Sequence, residues 1–315
     1  MTNLTLFVFP GQGSQTVGMG KALADSFPEA REFLQEIDET LKQNLSRLMF
    51  EGPEDQLQLT ENAQPAIMAA SLAVLKVLQK QGAFSLLTQA RYVAGHSLGE
   101  YSALAAAGTF SPYVAARLLK IRGQAMQSAV PVGQGGMAAL IGADLSQAED
   151  IARAAAQGDV CVAANDNAPG QVVISGHMAA IDRAIALAAA KGIKRAIKLN
   201  VSAPFHSPLM QPAAETMAEA LAEVDMSLPV APVITNVTAA AESDPATLRD
   251  LLVKQVTAPV RWRESMLFAK AQGVQRVVEM GHGNVLTGLA KRIDKDFVGV
   301  NVGTPQEIEA FLQGQ

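Results

Sequence analysis

The short segment GHSLG, at residues 95–99, constrains the fold more than any other part of this sequence. It fits the pattern G-x-S-x-G, in which a strand turns sharply into a helix and presents a serine at the turn. Residues 92–94 have the apolar character of a buried strand, and residues 98–107 are rich in the alanine and leucine that favour a helix. A glycine-flanked turn with a capping serine would look the same. With a strand before it and a helix after it, the segment predicts a nucleophile elbow that presents Ser97 at a helix N-terminus.

The composition excludes several other classes of protein. The chain has 315 residues, of which 49% are hydrophobic, enough to form one large or two ordinary domains. A net charge of −5 argues against general binding to nucleic acid or to an anionic membrane surface. The single cysteine, Cys161, excludes an intrachain disulfide and lies in a segment typical of a buried strand. No apolar run approaches the length of a membrane span, so we expect a cytoplasmic protein.

Strand-like and helical segments alternate along most of the chain. Strands are predicted at residues 4–9, 92–94, 233–236, 274–280 and 297–301. Helices are predicted within 18–44 with a break at Phe27-Pro28, from Gln64-Pro65 to 81, over 98–107, from Ser111-Pro112, and over 210–224, 245–256, 285–292 and 305–311. This alternation predicts an α/β fold with a mostly parallel sheet covered on both faces. Sites in such sheets lie beyond the carboxyl ends of the strands, where we expect the loops at 10–15, 95–99 and 281–284 to meet.

The middle of the chain follows a different order. Strands are predicted at residues 137–141, 159–164, 171–175 and 193–199, with helices at 145–156 and 179–191. The order β-α-β-β-α-β is that of the ferredoxin-like fold. We therefore predict a discontinuous catalytic body, residues 1–130 and 200–315, interrupted by a small ferredoxin-like domain at residues 131–199.

A reactive serine needs a partner that takes its proton, and histidine is the usual one near neutral pH. The sequence contains four histidines. His96 is adjacent to Ser97 on a tight turn, where neighbouring side chains diverge, so we expect it to be structural. His177 begins a helix of the small domain and is expected at the surface. His206 lies on a loop braced by two prolines, whereas His282 follows a late strand. From spacing alone, these last two are nearly even as candidates for the base.

Several further motifs occur in order along the chain. They are QGSQ at 12–15, GHSLGEY at 95–101, RG at 122–123, NAPGQVVISG at 167–176 and VSAPFH at 201–206. With these segments, almost the whole chain resembles the malonyl-CoA:acyl carrier protein transacylases. The resemblance implies an α/β-hydrolase-like body with a ferredoxin-like insertion, in agreement with the pattern above. It also implies transfer of malonyl from malonyl-CoA to the phosphopantetheine thiol of acyl carrier protein in fatty acid synthesis. We expect a monomer that uses no cofactor and no metal ion.

The resemblance also implies roles for individual residues. Ser97 would be the nucleophile and His206 the base. The backbone N–H groups of Gln12 and Leu98 would form the oxyanion hole. Arg122 would bind the malonyl carboxylate, since its planar fork can pair with two oxygens at once; from the sequence alone, it reads as a cation on a helix surface.

The resemblance implies a role for one further residue, and two segments of the chain depart from the family's pattern or vary within it. The main-chain carbonyl of Gln255 would hold His206 in place of a triad carboxylate, which makes the site a dyad. The segment GHGN at 281–284 differs from the family's commoner GPGK, so it is open whether His282 touches the site. The residues APF at 203–205, before the base, vary within the family and bear on the choice of acyl group.

Other functions share this chemistry. The chain could be the malonyl-transferring subunit of a malonate decarboxylase, a serine esterase or thioesterase, or a non-catalytic acyl-binding module. The small domain carries a local basic cluster although the net charge of the chain is negative. This cluster is either a docking face for an acidic carrier protein or a solvated charged face. Its members are Lys191, Lys194, Arg195 and Lys198.

Overall fold

The computed structural model describes residues 4–82, 84–201 and 203–314, which form two sheets with helices around them. The strands are β1 Leu4–Phe9, β2 Ala90–Gly95, β3 Gly135–Ile141, β4 Cys161–Ala168, β5 Gln171–His177, β6 Arg195–Lys198, β7 Val233–Ile234, β8 Ala241–Glu242, β9 Val274–Met280 and β10 Val298–Val302. The helices are α1 Lys21–Ser26, α2 Pro28–Leu41, α3 Leu45–Glu51, α4 Glu54–Gln58, α5 Thr60–Gly82, α6 Leu86–Gln89, α7 Gly99–Ala106, α8 Pro112–Ser128, α9 Leu145–Ala156, α10 Met178–Ala190, α11 Gln211–Ala222, α12 Pro245–Gln255, α13 Trp262–Ala271, α14 Val285–Ile293 and α15 Pro305–Gln313. A single 3₁₀ turn, Pro208–Met210, precedes α11.

The larger sheet has the strand order β10-β9-β1-β2-β7-β8. All its neighbouring strands are parallel except β7 and β8. In the central strand β1, Phe7 and Phe9 enter one core cluster, while Leu6 and Val8 enter another on the opposite face. Helices bury both faces, which explains why its main strands are continuous apolar runs rather than alternating ones. The mixed α/β fold with a mostly parallel sheet, predicted from the sequence, is confirmed.

The smaller sheet is antiparallel throughout, with the strand order β4-β5-β3-β6. On one face, Ile174 packs with Ile151 of α9 and Ile181 of α10 in a separate core cluster. On the other face, Met137 and Val173 belong to the core cluster of the larger sheet. The two sheets therefore face each other across a shared apolar boundary, and this boundary becomes one wall of the site described below.

The structure differs from the sequence prediction in several elements. The helix expected to open at Gln64-Pro65 begins at Thr60, and Pro65 lies inside it. Proline removes one backbone hydrogen bond there, yet the flanking residues are buried and packing outweighs this local cost. The strand expected over 233–236 is only Val233–Ile234, because Asn236 turns towards the elbow. Helices α3, α4, α6 and α13 and the short strand β8 were not predicted.

Two smaller expectations concern burial and membranes. Cys161 is buried on β4, as predicted, and desolvation raises the pKa of its thiol to about 11. It is therefore a protonated core residue at neutral pH. Across residues 4–82, 84–201 and 203–314, no helix is both long and apolar enough to cross a membrane.

Candidate active site

The strand and helix predicted around Ser97 are confirmed, and they meet in a very tight turn. Strand β2 ends at Gly95 and α7 begins at Gly99, while Ser97 between them has a φ of 53°. A Cβ placed on Gly95 would lie 1.9 Å from the carbonyl carbon of Gly99, and one on Gly99 would lie 2.2 Å from the carbonyl oxygen of Phe9. Side chains are therefore excluded at both positions, which is the steric reason for the G-x-S-x-G pattern.

His206 is the histidine that meets the serine. Its Nε2 lies 2.7 Å from Ser97 Oγ. Its Nδ1 faces two main-chain carbonyl oxygens, those of Gln255 at 2.9 Å and Ala258 at 3.1 Å. Because a carbonyl oxygen only accepts, Nδ1 carries the proton and Nε2 is left to accept from the serine hydroxyl. His206 has a φ of 55°, so both members of the pair have the left-handed backbone that is unfavourable for residues other than glycine.

The surroundings of His206 keep its ring neutral. The side chain is fully buried, and desolvation together with the charge of Arg122 lowers its pKa to about 3. The two carbonyl hydrogen bonds act in the opposite direction but are outweighed. A neutral imidazole with a free Nε2 is the form that can accept a proton from a hydroxyl group at physiological pH.

Arg122 lies on α8 with only 1% of its surface exposed. Its Nη1 donates to Gln64 Oε1 at 2.8 Å, and its Nη2 donates to Gln255 Oε1 at 2.9 Å and to Ser97 Oγ at 3.2 Å. Its Cζ lies 5.7 Å from the centre of the Tyr101 ring. Desolvation lowers the pKa of the guanidinium. No carboxylate in the described part of the chain forms an ion pair with it, so a buried cation is held by neutral groups next to the serine hydroxyl.

Sequence reasoning missed a buried polar network behind the elbow. Asn236 accepts the Ser97 N–H at 2.7 Å and donates to the Gly95 carbonyl at 2.7 Å. Glu100 Oε2 accepts the Asn236 N–H at 2.9 Å and the Gln255 side-chain amide at 3.0 Å. Burial raises the pKa of Glu100 to about 7. A glutamate inside an apolar helix was the available signal, because a buried carboxylate requires partners.

The other histidines do not contact the serine hydroxyl. His282 Nε2 lies 2.7 Å from Thr16 Oγ1. His96 is half-buried, and its Nε2 lies 2.8 Å from Asn167 Oδ1. His177 is partly exposed, as expected, and accepts a hydrogen bond from a neighbouring main-chain N–H through its Nδ1. Of the two histidines that spacing left nearly even, His206 is the one within hydrogen-bonding distance of Ser97 Oγ, and its role as the base stays a prediction.

A cavity of about 320 Å³ opens in front of Ser97. The larger body contributes Gln12, Ser97, Arg122 and His206 to its wall, and the smaller sheet contributes Met137, Asn167 and Val173. Phe205, from the segment expected to influence acyl choice, also lines it, whereas Ser202 lies outside the described residues. His282 is not part of the wall. The site is therefore built between the two sheets.

The basic cluster of the small domain is solvent-exposed at all four positions. One member, Lys198, forms an ion pair with Asp182 at 2.5 Å. Exposure is compatible with both a docking face and a solvated surface, so its role as a docking face stays a prediction.

A half-buried serine at the sharp strand-to-helix turn of an α/β fold, paired with a buried histidine, is typical of enzymes of the acyl-transferring class. The chain belongs to the acyl transferase domain family, whose model matches residues 6–301. It is 44% identical over 306 residues to the malonyl CoA-acyl carrier protein transacylase of Salmonella typhimurium, covering 97% of this chain and 98% of that protein. It is 43% identical over 308 residues to the Bacillus subtilis protein of the same name, covering 98% and 96%.

Solved structures agree with these sequence comparisons. The acyl-carrier-protein-S-malonyltransferase of Bartonella henselae superposes with a TM-score of 0.96 at 53% identity and covers 99% of both chains. A malonyl-transacylase in complex with its type II PKS acyl-carrier protein superposes with a TM-score of 0.95 at 40% identity, covering 99% of this chain and 100% of that one.

Proposed function

We propose that this acyltransferase moves a malonyl group from malonyl-CoA to the phosphopantetheine thiol of an acyl carrier protein, through a malonyl ester of Ser97. The observation that carries the proposal is the position of Ser97 Oγ, 2.7 Å from the base and 3.2 Å from the guanidinium of Arg122. One neighbour can activate the hydroxyl and the other can hold the free carboxylate of a diacid. The names of the relatives support the same reaction.

In the first half-reaction, neutral His206 takes the Ser97 proton on Nε2 as Oγ attacks the thioester carbonyl. The tetrahedral intermediate collapses, the C–S bond breaks, and the proton on Nε2 passes to the departing CoA thiolate. The result is a serine ester and free CoA. The two carbonyls that bind Nδ1 stabilise the imidazolium that forms in between, and they take the place of a triad carboxylate.

The oxyanion hole is proposed at the backbone N–H groups of Leu98 and Gln12. Among the described residues, neither group donates a hydrogen bond to protein, whereas the Ser97 N–H is occupied by the Asn236 side chain. Leu98 is the N-cap residue of α7, where the helix dipole also favours developing negative charge. One such donor typically contributes about 3 kcal/mol to lowering the barrier.

Arg122 is proposed to select malonyl over neutral acyl groups. Its partners Gln64 and Gln255 are uncharged, so a substrate carboxylate would supply the negative group that the buried guanidinium lacks. Acetyl or butyryl groups cannot do this and would leave the cation desolvated and unpaired. A site built for a hydrogen-bonding group typically rejects the analogue that lacks it by large factors.

In the second half-reaction, the phosphopantetheine thiol enters the same cavity and His206 accepts its proton. The thiolate attacks the ester carbonyl, the C–O bond breaks, and the proton returns to Ser97 Oγ. The product is a malonyl thioester on the carrier protein. The complex of a related malonyl-transacylase with its acyl-carrier protein supports this acceptor. The exposed basic cluster is proposed as a docking face for an acidic carrier.

The finer architecture is part of the same proposal. Residues 1–130 and 200–315 would form an α/β-hydrolase-like body, and residues 131–199 a ferredoxin-like domain. The strand order β4-β5-β3-β6, with α9 and α10 on one face, supports the second assignment. We also propose that the protein acts as a monomer, which sedimentation measurements would test.

Intact-protein mass spectrometry tests the proposed function directly. After mixing with malonyl-CoA, the protein should gain one malonyl group at Ser97, and addition of carrier protein should remove it. Ser97→Ala should remain unmodified. Ser102→Ala is the control, because Ser102 is a buried serine on α7, the helix that follows Ser97, and lies away from the cavity wall. Acylation that persists in Ser97→Ala would refute the proposal, and loss of the group to water alone would indicate a hydrolase.

A further inference from the structure

The loop after β7 reaches the elbow with one buried amide side chain. Asn236 is 1% exposed and spans the turn. Its Oδ1 accepts the N–H of Ser97, and its Nδ2 donates to the carbonyl of Gly95, each at 2.7 Å. Both contacts are to main-chain groups, so the amide binds the two sides of the turn regardless of the side chains there.

The elbow needs such a partner because of its own geometry. Parallel pairing between β2 and β7 stops at Ala94 and Ile234, so the ladder supplies no partner for the groups beyond it. Buried backbone N–H and C=O groups without partners are costly. In addition, the left-handed backbone of Ser97 costs a residue with a Cβ roughly 1–2 kcal/mol. Asn236 takes over the hydrogen bonding where the sheet ends and holds the strained residue in place.

Asn236 is itself fixed from the opposite side. Its N–H donates to Glu100 Oε2 at 2.9 Å, and its carbonyl accepts from the Arg261 N–H at 3.1 Å. Glu100 also accepts from the Gln255 side-chain amide, which in turn accepts from Arg122. The position of the Asn236 amide is thus set by buried contacts rather than by a mobile loop.

We propose that Asn236 is a positioning residue for acyl transfer, which holds the Ser97 backbone so that Oγ meets His206 Nε2 and the Leu98 N–H stays free for the oxyanion. By occupying the Ser97 N–H, it leaves the next amide along the chain as the donor. The inference rests on the proposed function, since it assigns Asn236 to the reaction of Ser97. It concerns the rate of the chemical step and not the binding of malonyl-CoA.

The first test is Asn236→Ala in single-turnover acylation by malonyl-CoA. We expect the acylation rate to fall on the order of 10²-fold, because small misplacements of a reacting group have effects of that size. The affinity for malonyl-CoA, measured by calorimetry in a Ser97→Ala background with and without Asn236→Ala, should stay within about twofold, since Asn236 does not contact Arg122.

The second variant, Asn236→Asp, separates positioning from folding. An ionised carboxylate keeps the acceptor for the Ser97 N–H but loses the donor to Gly95, and a protonated one regains it. The rate relative to wild type should therefore rise as pH falls from about 8 to about 5.5, measured at a temperature where circular dichroism shows the variant folded across this range. Glu100, Arg122, Arg261, His96 and His206 are the charged and titratable groups around this position. Because Glu100 accepts the Asn236 N–H and would couple to a new carboxylate, the ratio is measured again in a Glu100→Gln background.

The matched control is Thr235→Val. Thr235 precedes Asn236 and is equally buried, but its hydroxyl pairs with Thr238 and not with the elbow. Its acylation rate should equal that of wild type. The inference is overturned if folded Asn236→Ala acylates at the wild-type rate, if the loss appears only in affinity, or if Asn236→Asp shows no recovery at low pH. Wild-type protein that forms no ester would instead overturn the proposed function.

Discussion

Two strand-to-helix turns of the larger sheet carry a histidine beside glycines, and one of them presents a serine, the proposed nucleophile Ser97. GHSLG joins β2 to α7, and GHGN joins β9 to α14. In the first turn, the left-handed position holds Ser97; in the second, Gly281 and Gly283 have positive φ and no side chain. The second turn also places Glu279 against the start of α14, where its Oε2 accepts the N–H of Thr287 at 2.8 Å.

The difference shows what makes such a turn reactive. At α14, the Glu279 carboxylate already accepts a main-chain N–H of the first helical turn, so this helix end is a poor site for another anion. At α7, the glutamate of the first turn, Glu100, points to Asn236 and Gln255 instead, and the Leu98 N–H remains free. The turn proposed to be reactive thus combines a serine in a strained position with a main-chain N–H at the helix end that the protein leaves free.

The largest expected contrast is between His206, which meets the serine of the first turn, and His282, which lies in the second turn. His206→Ala removes the proposed base, whose Nε2 lies 2.7 Å from Ser97 Oγ, and should lower the acylation rate at least about 10⁴-fold. His282→Ala removes a contact to Thr16 and should change the rate by less than about threefold. Stopped-flow measurement of CoA release with both variants decides this. The reverse order of effects would move the base to the second turn.

A glycine in each turn gives the next contrast, measured as free energy of unfolding. Gly95→Ala would place a Cβ 1.9 Å from the Gly99 carbonyl carbon and should destabilise the protein by more than about 4 kcal/mol. Gly283→Ala has a φ of 91° but no atom within 4 Å, so we expect about 1–2 kcal/mol. Urea titration of both variants checks this. Equal destabilisation would mean that the close approach at the elbow is not a constraint.

Arg122 distinguishes the surroundings of the first turn from those of the second. Arg122→Gln keeps a polar side chain but removes the charge that a diacid needs, so the preference for malonyl-CoA over acetyl-CoA should fall about 10²- to 10³-fold. Competition between the two thioesters, followed by mass spectrometry of the acylated protein, measures this ratio. Arg117→Gln, on the same helix but not part of the cavity wall, is the matched control. An unchanged preference would disprove the assigned role.

The smallest expected effect is in the pH profile. Burial lowers the pKa of both His206 and His282. The pKa of His206 falls to about 3, so its ring stays neutral well below pH 6.5. Since the neutral form is the base, lowering its pKa moves the loss of activity to lower pH, and acylation should change less than about twofold between pH 8 and 6. Glu100 titrates near pH 7, so Glu100→Gln is measured alongside. An acid limb near 6.5 that persists in that variant would contradict the prediction.

Local patterns predicted the parts of the molecule that local sterics and periodicity determine. The elbow and the alternating elements of both sheets follow from glycine placement, apolar spacing and helix start signals such as Ser111-Pro112, whose serine caps α8. The site could not be predicted from local patterns alone, because its contacts join residues that are far apart in the sequence. Asn236 is 139 residues from the serine it binds, and no local signal marks it. The burial of Arg122 likewise depends on the packing of α8 against α5, which spacing does not reveal. The resemblance to a family, rather than the pattern, favoured His206 over His282.

The hydrogen bonds from Arg122 to the uncharged side chains of Gln64 and Gln255 have a consequence for substrate binding. The Glu100 carboxylate attracts the guanidinium electrostatically but hydrogen-bonds Asn236 and Gln255 instead, so among the described residues no direct ion pair has to break when substrate arrives. In the proposed reaction, the free carboxylate of the substrate pairs with Arg122 in the same binding step that places its thioester at Ser97. Simple free dicarboxylates of matching length should therefore compete for the resting pocket, and acyl preference can be altered at this helix without changing the dyad.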